Sequence, residues 1–176
     1  VGAYRTQRLN SIILRGRCRS AQGPFRVAIE RPAAFFAFLL AEELNRCSIK
    51  VTGRMYERGI TDRSDLKILK TYKTPLADCL SRSNKDSLGL AAEAMLKTIA
   101  AQANGNKNGS WELGSELIGK YLVSLGISPE EFYIDDGGGL SRQNKLSPNC
   151  ITTVLKAVYN SDNRKVYKEA LAVGGH

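Results

Sequence analysis

This chain is short of the residues that most often announce chemistry. Among 176 residues there is one histidine, and it is the last. A histidine acid–base pair or a histidine metal cluster therefore cannot be built from it. Its four cysteines, at 18, 47, 79 and 150, lie far apart at irregular spacing with no C-x-x-C pair. That excludes the usual zinc frameworks and leaves buried free thiols as the plain reading, with one disulfide as the alternative in an exported protein. No cofactor motif is present, so no cofactor or metal is expected. Long apolar runs are also missing. The longest, Ala33 to Ala41, falls far short of the roughly 20 residues that span a bilayer, and it lies too deep in the chain for a signal peptide. Internal repeats and low-complexity tracts are absent too.

Acidic residues are scarce relative to basic ones, 17 against 26, for a formal charge of +9. The excess is concentrated at the front: residues 1–60 hold 11 Lys and Arg against 4 Asp and Glu. A basic front is the footprint of a polyanion partner such as nucleic acid or an anionic wall polymer. Against that, only Tyr4 and Phe25 interleave with the early arginines, which is too little for base stacking. Arg15, Arg17 and Arg19 alternate as outward positions of a strand should, so a solvated strand face is preferred and no nucleic acid is expected.

What is present is ordinary globular composition, 43% hydrophobic and 24% charged, enough for one domain with a core. The pattern is mixed, α+β. Residues 10–17, 25–29 and 49–56 read as short strands bounded by Gly, Pro and Asn. Pro32 opens a helix carrying Phe35, Phe36, Leu39, Leu40 and Leu44 at helical spacing. Residues 57–66 are a polar loop and a module boundary, which separates a strand-rich segment, 1–60, from a helical part, 61–176. In the latter, Leu90, Ala91, Ala94, Met95 and Ile99 share a face of a helix starting near Ser87. Ser110 caps a helix that stops at Gly126, and Ser147-Pro148 opens another with Ile151, Val154, Leu155 and Val158 inward.

The most informative run is Asp136-Gly137-Gly138-Gly139-Leu140-Ser141-Arg142-Gln143-Asn144. Three glycines in a row permit positive φ and close backbone approach, a conformationally costly choice between two helical patterns. The run closely resembles the D-G-S-G-L-S-R-x-N segment of the D-alanyl-D-alanine carboxypeptidases of the class C penicillin-binding proteins, with Gly138 where that family usually carries Ser. Other segments follow in collinear order. Residues 84–98 resemble N-K-x-S-x-N-x-x-A-E-x-L-L-K-T, residues 73–77 an S-P-P-L segment, and residues 109–114 a G-S-x-x-x-G helix start. Glu30-Arg31-Pro32 resembles the start of a D-P-x-x-Y segment. Several matches in order are far more specific than any one.

The resemblance implies a part of a penicillin-binding transpeptidase-like (serine β-lactamase-like) fold. It places the end of an inserted domain and the return to the catalytic domain in residues 1–60, and the helical region in residues 61–176. It also implies a hydrolase acting through an acyl-enzyme on peptidoglycan stem peptides, inhibited by β-lactams, in the periplasm or otherwise outside the cytoplasm. Such enzymes use S-x-x-K, S-x-N and K-T-G: a hydroxyl nucleophile with its base, a second Ser that relays a proton, and an Asn that grips the substrate amide. Ser87 matches the second-motif Ser and Lys85 the Lys before it, while Gly89 stands where the Asn belongs. Loss of that contact costs about 1–3 kcal/mol, one to two decades in rate. Taken alone, Ser87 is a helix-start residue.

The sole S-x-x-K by letters, Ser64-Asp65-Leu66-Lys67, falls in the polar loop, only 20 residues before the second motif and without the apolar helical setting a desolvated Lys base needs. Lys73-Thr74-Pro75 mimics K-T-G, but proline fills the space glycine leaves for substrate. Residues 167–176 resemble the family's F-x-x-S-L-P-V-A-G segment just before its D-G-T-L, so the chain is expected to be the middle of a longer protein and inactive alone. Asp136, Gly137, Gly139, Ser141, Arg142 and Asn144 are expected to support the site, with Asp136 and Arg142 bonding the loop backbone. The rival reading is a non-enzymatic basic module. Neither reading fixes an oligomeric state.

Overall fold

A computed structural model describes residues 1–6, 10–21, 23–25, 27–57, 59, 64, 67–105 and 108–174. The chain forms two compact units, Val1–Ile68 and Leu69–His176.

In the first unit, β1 (Gly2–Arg5) pairs antiparallel with β2 (Ile12–Arg15), Gly2 opposite Arg15 and Arg5 opposite Ile12. The Asn10 amide grips Glu30, accepting from its N–H at 2.7 Å and donating to its carbonyl at 3.2 Å, and the Arg5 guanidinium meets the Glu30 carboxylate at 2.7 Å. Gly16 ends the ladder. Its φ of +130° is glycine's, and a β-carbon there would lie 2.8 Å from the Val1 Cα. Arg17 and Arg19 therefore lie beyond the strand, exposed, and only Arg15 is on it. That corrects the expected strand of residues 10–17.

The described residues of 25–29, and all of 49–56, form no strand. Their apolar alternation finds no partner ladder among the described residues, and the Val51 N–H goes instead to the Asn45 side chain at 3.3 Å. Helix α1 (Pro32–Arg46) starts at Pro32 as expected. Its half-buried side is Ala34, Phe35, Ala37, Ala41 and Leu44, while Phe36, Leu39 and Leu40 stay exposed. No helix among the described residues is long and apolar enough to cross a membrane.

The second unit is helical: α2 (Leu76–Lys85), α3 (Gly89–Ala103), α4 (Trp111–Ser124), α5 (Pro148–Tyr159) and α6 (Arg164–Ala170), with a two-residue ladder between β3 (Phe132–Tyr133) and β4 (Lys145–Leu146). Caps set the boundaries. The Ser110 hydroxyl accepts the Leu113 N–H at 3.2 Å and the Ser147 hydroxyl accepts the Cys150 N–H at 2.9 Å. Gly126, at φ +85°, ends α4, where the Ile127 N–H returns to the Leu122 carbonyl.

Leu122, Ile127 and Cys150 form the core, with Ile118, Leu125, Phe132, Ile134 and Val154 against them. The four cysteines are free, and only Cys150 is buried; burial first, then the Glu131 charge, raises its thiol pKa. On α3 the buried residues are Ala91, Leu96 and Ala100, whereas Leu90 and Ile99 are exposed. The buried face is thus rotated from the expected one. Glycines of neighbouring segments set it: a β-carbon on Gly114 would lie 2.6 Å from the Leu96 side chain, and one on Gly109 would overlap the Lys97 carbonyl.

Candidate functional site

Helix α2 runs into α3 through a three-residue turn, Asp86-Ser87-Leu88. Lys85 closes α2, where a cation suits the carbonyl end of the helix. The Arg82 carbonyl accepts the N–H groups of Asp86 and Leu88, both at 3.2 Å. Ser87 then adopts φ +50°, a left-handed conformation uncommon for a non-glycine, and its carbonyl accepts the Gly89 N–H at 3.1 Å. Ser87 and Lys85 are exposed. Leu88, not Ser87, holds the N-cap position, so Ser87 is not a capping residue. Gly89 is the first helical residue, and nothing lies within 4 Å of where its side chain would begin.

The glycine loop lies over this helix start. A β-carbon on Gly137 would lie 2.9 Å from the Ala92 carbonyl oxygen and 3.0 Å from the Leu96 Cβ, and one on Gly138 would lie 3.7 Å from the Gly89 carbonyl oxygen. Five successive N–H groups end on two carboxylates. Gly139, Leu140 and Ser141 donate to Asp136 at 2.6, 3.1 and 2.7 Å, while Gly137 and Gly138 donate to Glu93 at 3.3 and 3.0 Å.

Asn144 completes the knot. Its Nδ2 donates to Asp136 at 2.7 Å, and its Oδ1 accepts from the Asp135 and Asp136 N–H groups at 2.7 and 3.3 Å. The Asn144 amide first, then the Ser141, Gly139 and Leu140 N–H groups, hold the Asp136 carboxyl below its usual range. Ser141 Oγ accepts the Gln143 N–H at 3.1 Å, and Gly139 takes φ +71°. Past the loop, Glu131 accepts from Ser147 Oγ at 2.6 Å and from Asn149, and these bonds lower its pKa.

Arg142 departs from expectation. It is exposed, and no hydrogen bond or ion pair of its side chain occurs among the described residues. A carboxylate is the natural acceptor for a row of N–H groups, and Asp136 and Glu93 take the holding role expected in part of Arg142. Glu93 had no expected role. The signal that could have found it is elementary: five glycine-loop N–H groups need acceptors, and one Asp cannot serve them all.

The look-alike motifs fall elsewhere. Ser64 and Lys67 are exposed and belong to the first unit, with residues 65 and 66 outside the described residues. Lys73 and Thr74 are exposed and outside any helix or strand, and Pro75 is the N-cap of α2. No group of three metal-ligating side chains occurs among the described residues.

A loop tied over the start of a motif-bearing helix, in a helical unit with a two-residue ladder, is part of a penicillin-binding-protein fold. A crystal structure of penicillin binding protein 4 from Haemophilus influenzae, complexed with a novel beta-lactam, superposes with a TM-score of 0.63 at 22% identity, over 84% of this chain and 34% of that one. The chain belongs to the D-Ala-D-Ala carboxypeptidase 3 (S13) family, which it matches over residues 3–176. It is 23% identical to the D-alanyl-D-alanine carboxypeptidase DacB of Haemophilus influenzae over 84% of its length, and 26% identical to a D-alanyl-D-alanine carboxypeptidase of Actinomadura sp. over the same share. It spans 30% and 27% of those two relatives.

Proposed function

We propose that this chain is the second-motif portion of a serine-type D-Ala-D-Ala carboxypeptidase/endopeptidase that acts on peptidoglycan stem peptides outside the cytoplasmic membrane. In this reading the rest of the protein supplies the nucleophilic Ser with its Lys, and the K-T-G strand. The nucleophile's Oγ attacks the carbonyl of the penultimate D-Ala, the C–N bond to the terminal D-Ala breaks, and the departing nitrogen takes a proton. Water then releases the acyl group. Ser87 would relay the proton to the departing nitrogen, with the Lys85 charge nearby. A β-lactam carbonyl would be attacked in the same way.

The observation that carries the reading is the glycine loop seated on the helix start behind Ser87. It packs against the first turn of α3, and Ser87 just before that turn is exposed at a left-handed φ. Strained backbone at a non-glycine residue is characteristic of functional sites. Gly89 offers no amide to the substrate, so the expected enzyme is a slow one. The test is labelled penicillin on the parent protein. A covalent adduct is expected, forming at least tenfold more slowly in Ser87→Ala at an unchanged melting midpoint. An unaltered acylation rate in that variant would remove Ser87 from the mechanism.

A further inference from the structure

Glu93 lies one turn after Gly89 on α3, and its carboxylate joins three separate pieces of the second unit. Oε1 accepts the Gly138 N–H at 3.0 Å, and Oε2 accepts the Gly137 N–H at 3.3 Å and the Trp111 Nε1–H at 2.6 Å. One turn further on, the Lys97 ammonium sits 3.2 Å from the centroid of the Trp111 ring. The indole is therefore held at its edge by Glu93 and at its face by Lys97, both on the same side of α3. Asp136 shapes the loop internally, whereas Glu93 fastens it to the helix.

We propose that Glu93 is the positioning residue of the Ser87 turn: it locks the glycine loop and the first residue of α4 onto α3, and so fixes where Ser87 is presented. The inference rests on the reading of Ser87 as a working hydroxyl. The path is short. Gly138 packs beside the Gly89 carbonyl, and the Gly89 N–H is bonded to the Ser87 carbonyl. If the loop lifts, the first turn of α3 loses its neighbour and the Ser87 turn loses its anchor.

Trp111 is the chain's single tryptophan, so one indole N–H cross-peak in an NMR spectrum reports the clamp directly. Glu93→Gln keeps the shape but turns an NH₂ donor toward other donors. In this variant the indole peak should move upfield and the Gly137 and Gly138 amides should exchange at least tenfold faster. The Ser87 and Gly89 amide shifts should move with them, while the core amides of Ile127 and Cys150 keep their protection. In the parent protein the acylation rate constant for a β-lactam should fall at least tenfold with the noncovalent Kd unchanged.

Glu93→Asp keeps the charge and withdraws it by one methylene. It should behave like Glu93→Gln, and a wild-type rate in it would replace positioning by charge alone. Unchanged indole and glycine peaks in Glu93→Gln, or acylation at the wild-type rate, would overturn the proposal while leaving the family's chemistry intact. A wild-type parent that forms no adduct would remove the reading of Ser87, and the Ser87 and Gly89 shifts in the variants would still decide whether Glu93 places that turn.

Discussion

Gly89 shows how a single side chain separates stability from function. It opens α3 with nothing within 4 Å of a prospective Cβ, so an asparagine fits without displacing a neighbour. Gly89→Asn should leave the melting midpoint within a few degrees of the original, because a surface substitution at a helix start typically moves stability by less than about 0.5 kcal/mol. In the parent protein the same change should speed β-lactam acylation about tenfold, the worth of one regained amide contact at ~1.4 kcal/mol. Labelled-penicillin kinetics check it, and an unchanged rate would mean that residue 89 does not face the substrate. Asp136 gives the complementary case, a residue whose role is internal. Its folded pKa is depressed by Asn144 and the loop N–H groups, so its contribution is fully present above the unfolded value of about 3.9 and is lost as pH falls through the folded value. Acid titration of the melting midpoint should show a loss below about pH 4 that is smaller in Asp136→Asn, which starts lower at neutral pH. Equal acid sensitivity in the two proteins would place the stored interaction elsewhere. Arg142 draws the line between what residue identity reveals and what it does not. The letters placed it in the loop, but its contacts depend on which acceptors and donors the folded loop leaves open.

Helix ends were legible because their causes are local. Ser110, Ser147-Pro148, Pro32 and Gly126 each act on a backbone group within four residues, and each marks an observed boundary. Strands were less so. Residues 49–56 alternate as a strand should, but a ladder needs a second chain segment, and alternation carries no information about whether one is present. Helices α2 and α6 went unforeseen because both are short and polar. The face of α3 was misjudged for a related reason. Its apolar residues allow more than one stripe, and the choice falls to the glycines of other segments, which let backbones approach Leu96 and Lys97. Gly114→Ala tests that account. Its β-carbon would lie 2.6 Å from the Leu96 side chain and 2.9 Å from the Leu96 carbonyl, so one of the two helices must shift. The expected cost is about 1–3 kcal/mol, read from a denaturant midpoint, whereas Gly89→Ala at the start of α3 should cost nothing comparable. Equal midpoints for the two variants would show that α3 and α4 are not held at this crossing.

Burial among the described residues is concentrated in one of the two units. The buried apolar residues among those described, Ala91, Leu96, Ala100, Leu122, Ile127, Cys150 and Ala170, all belong to the second unit. Leu69, Tyr72, Leu90 and Leu140 are each at least three-quarters exposed, and Leu90 and Leu140 flank the seat of the glycine loop. Ser87 stands exposed on a defined turn of the second unit, and no hydrogen bond between a serine hydroxyl and a lysine occurs among the described residues. An acylating serine needs an adjacent base, and the departing nitrogen needs a proton donor placed within hydrogen-bond reach. Ser64 and Lys67 offer the right letters in an exposed setting, without the apolar burial that a lysine base needs. The purified 176-residue chain is therefore expected to take up no labelled penicillin and to release no D-Ala from D-Ala-D-Ala peptides, measured by gel fluorescence and intact mass over hours at neutral pH. An adduct that forms on the chain and disappears in Ser64→Ala would make Ser64 the nucleophile after all.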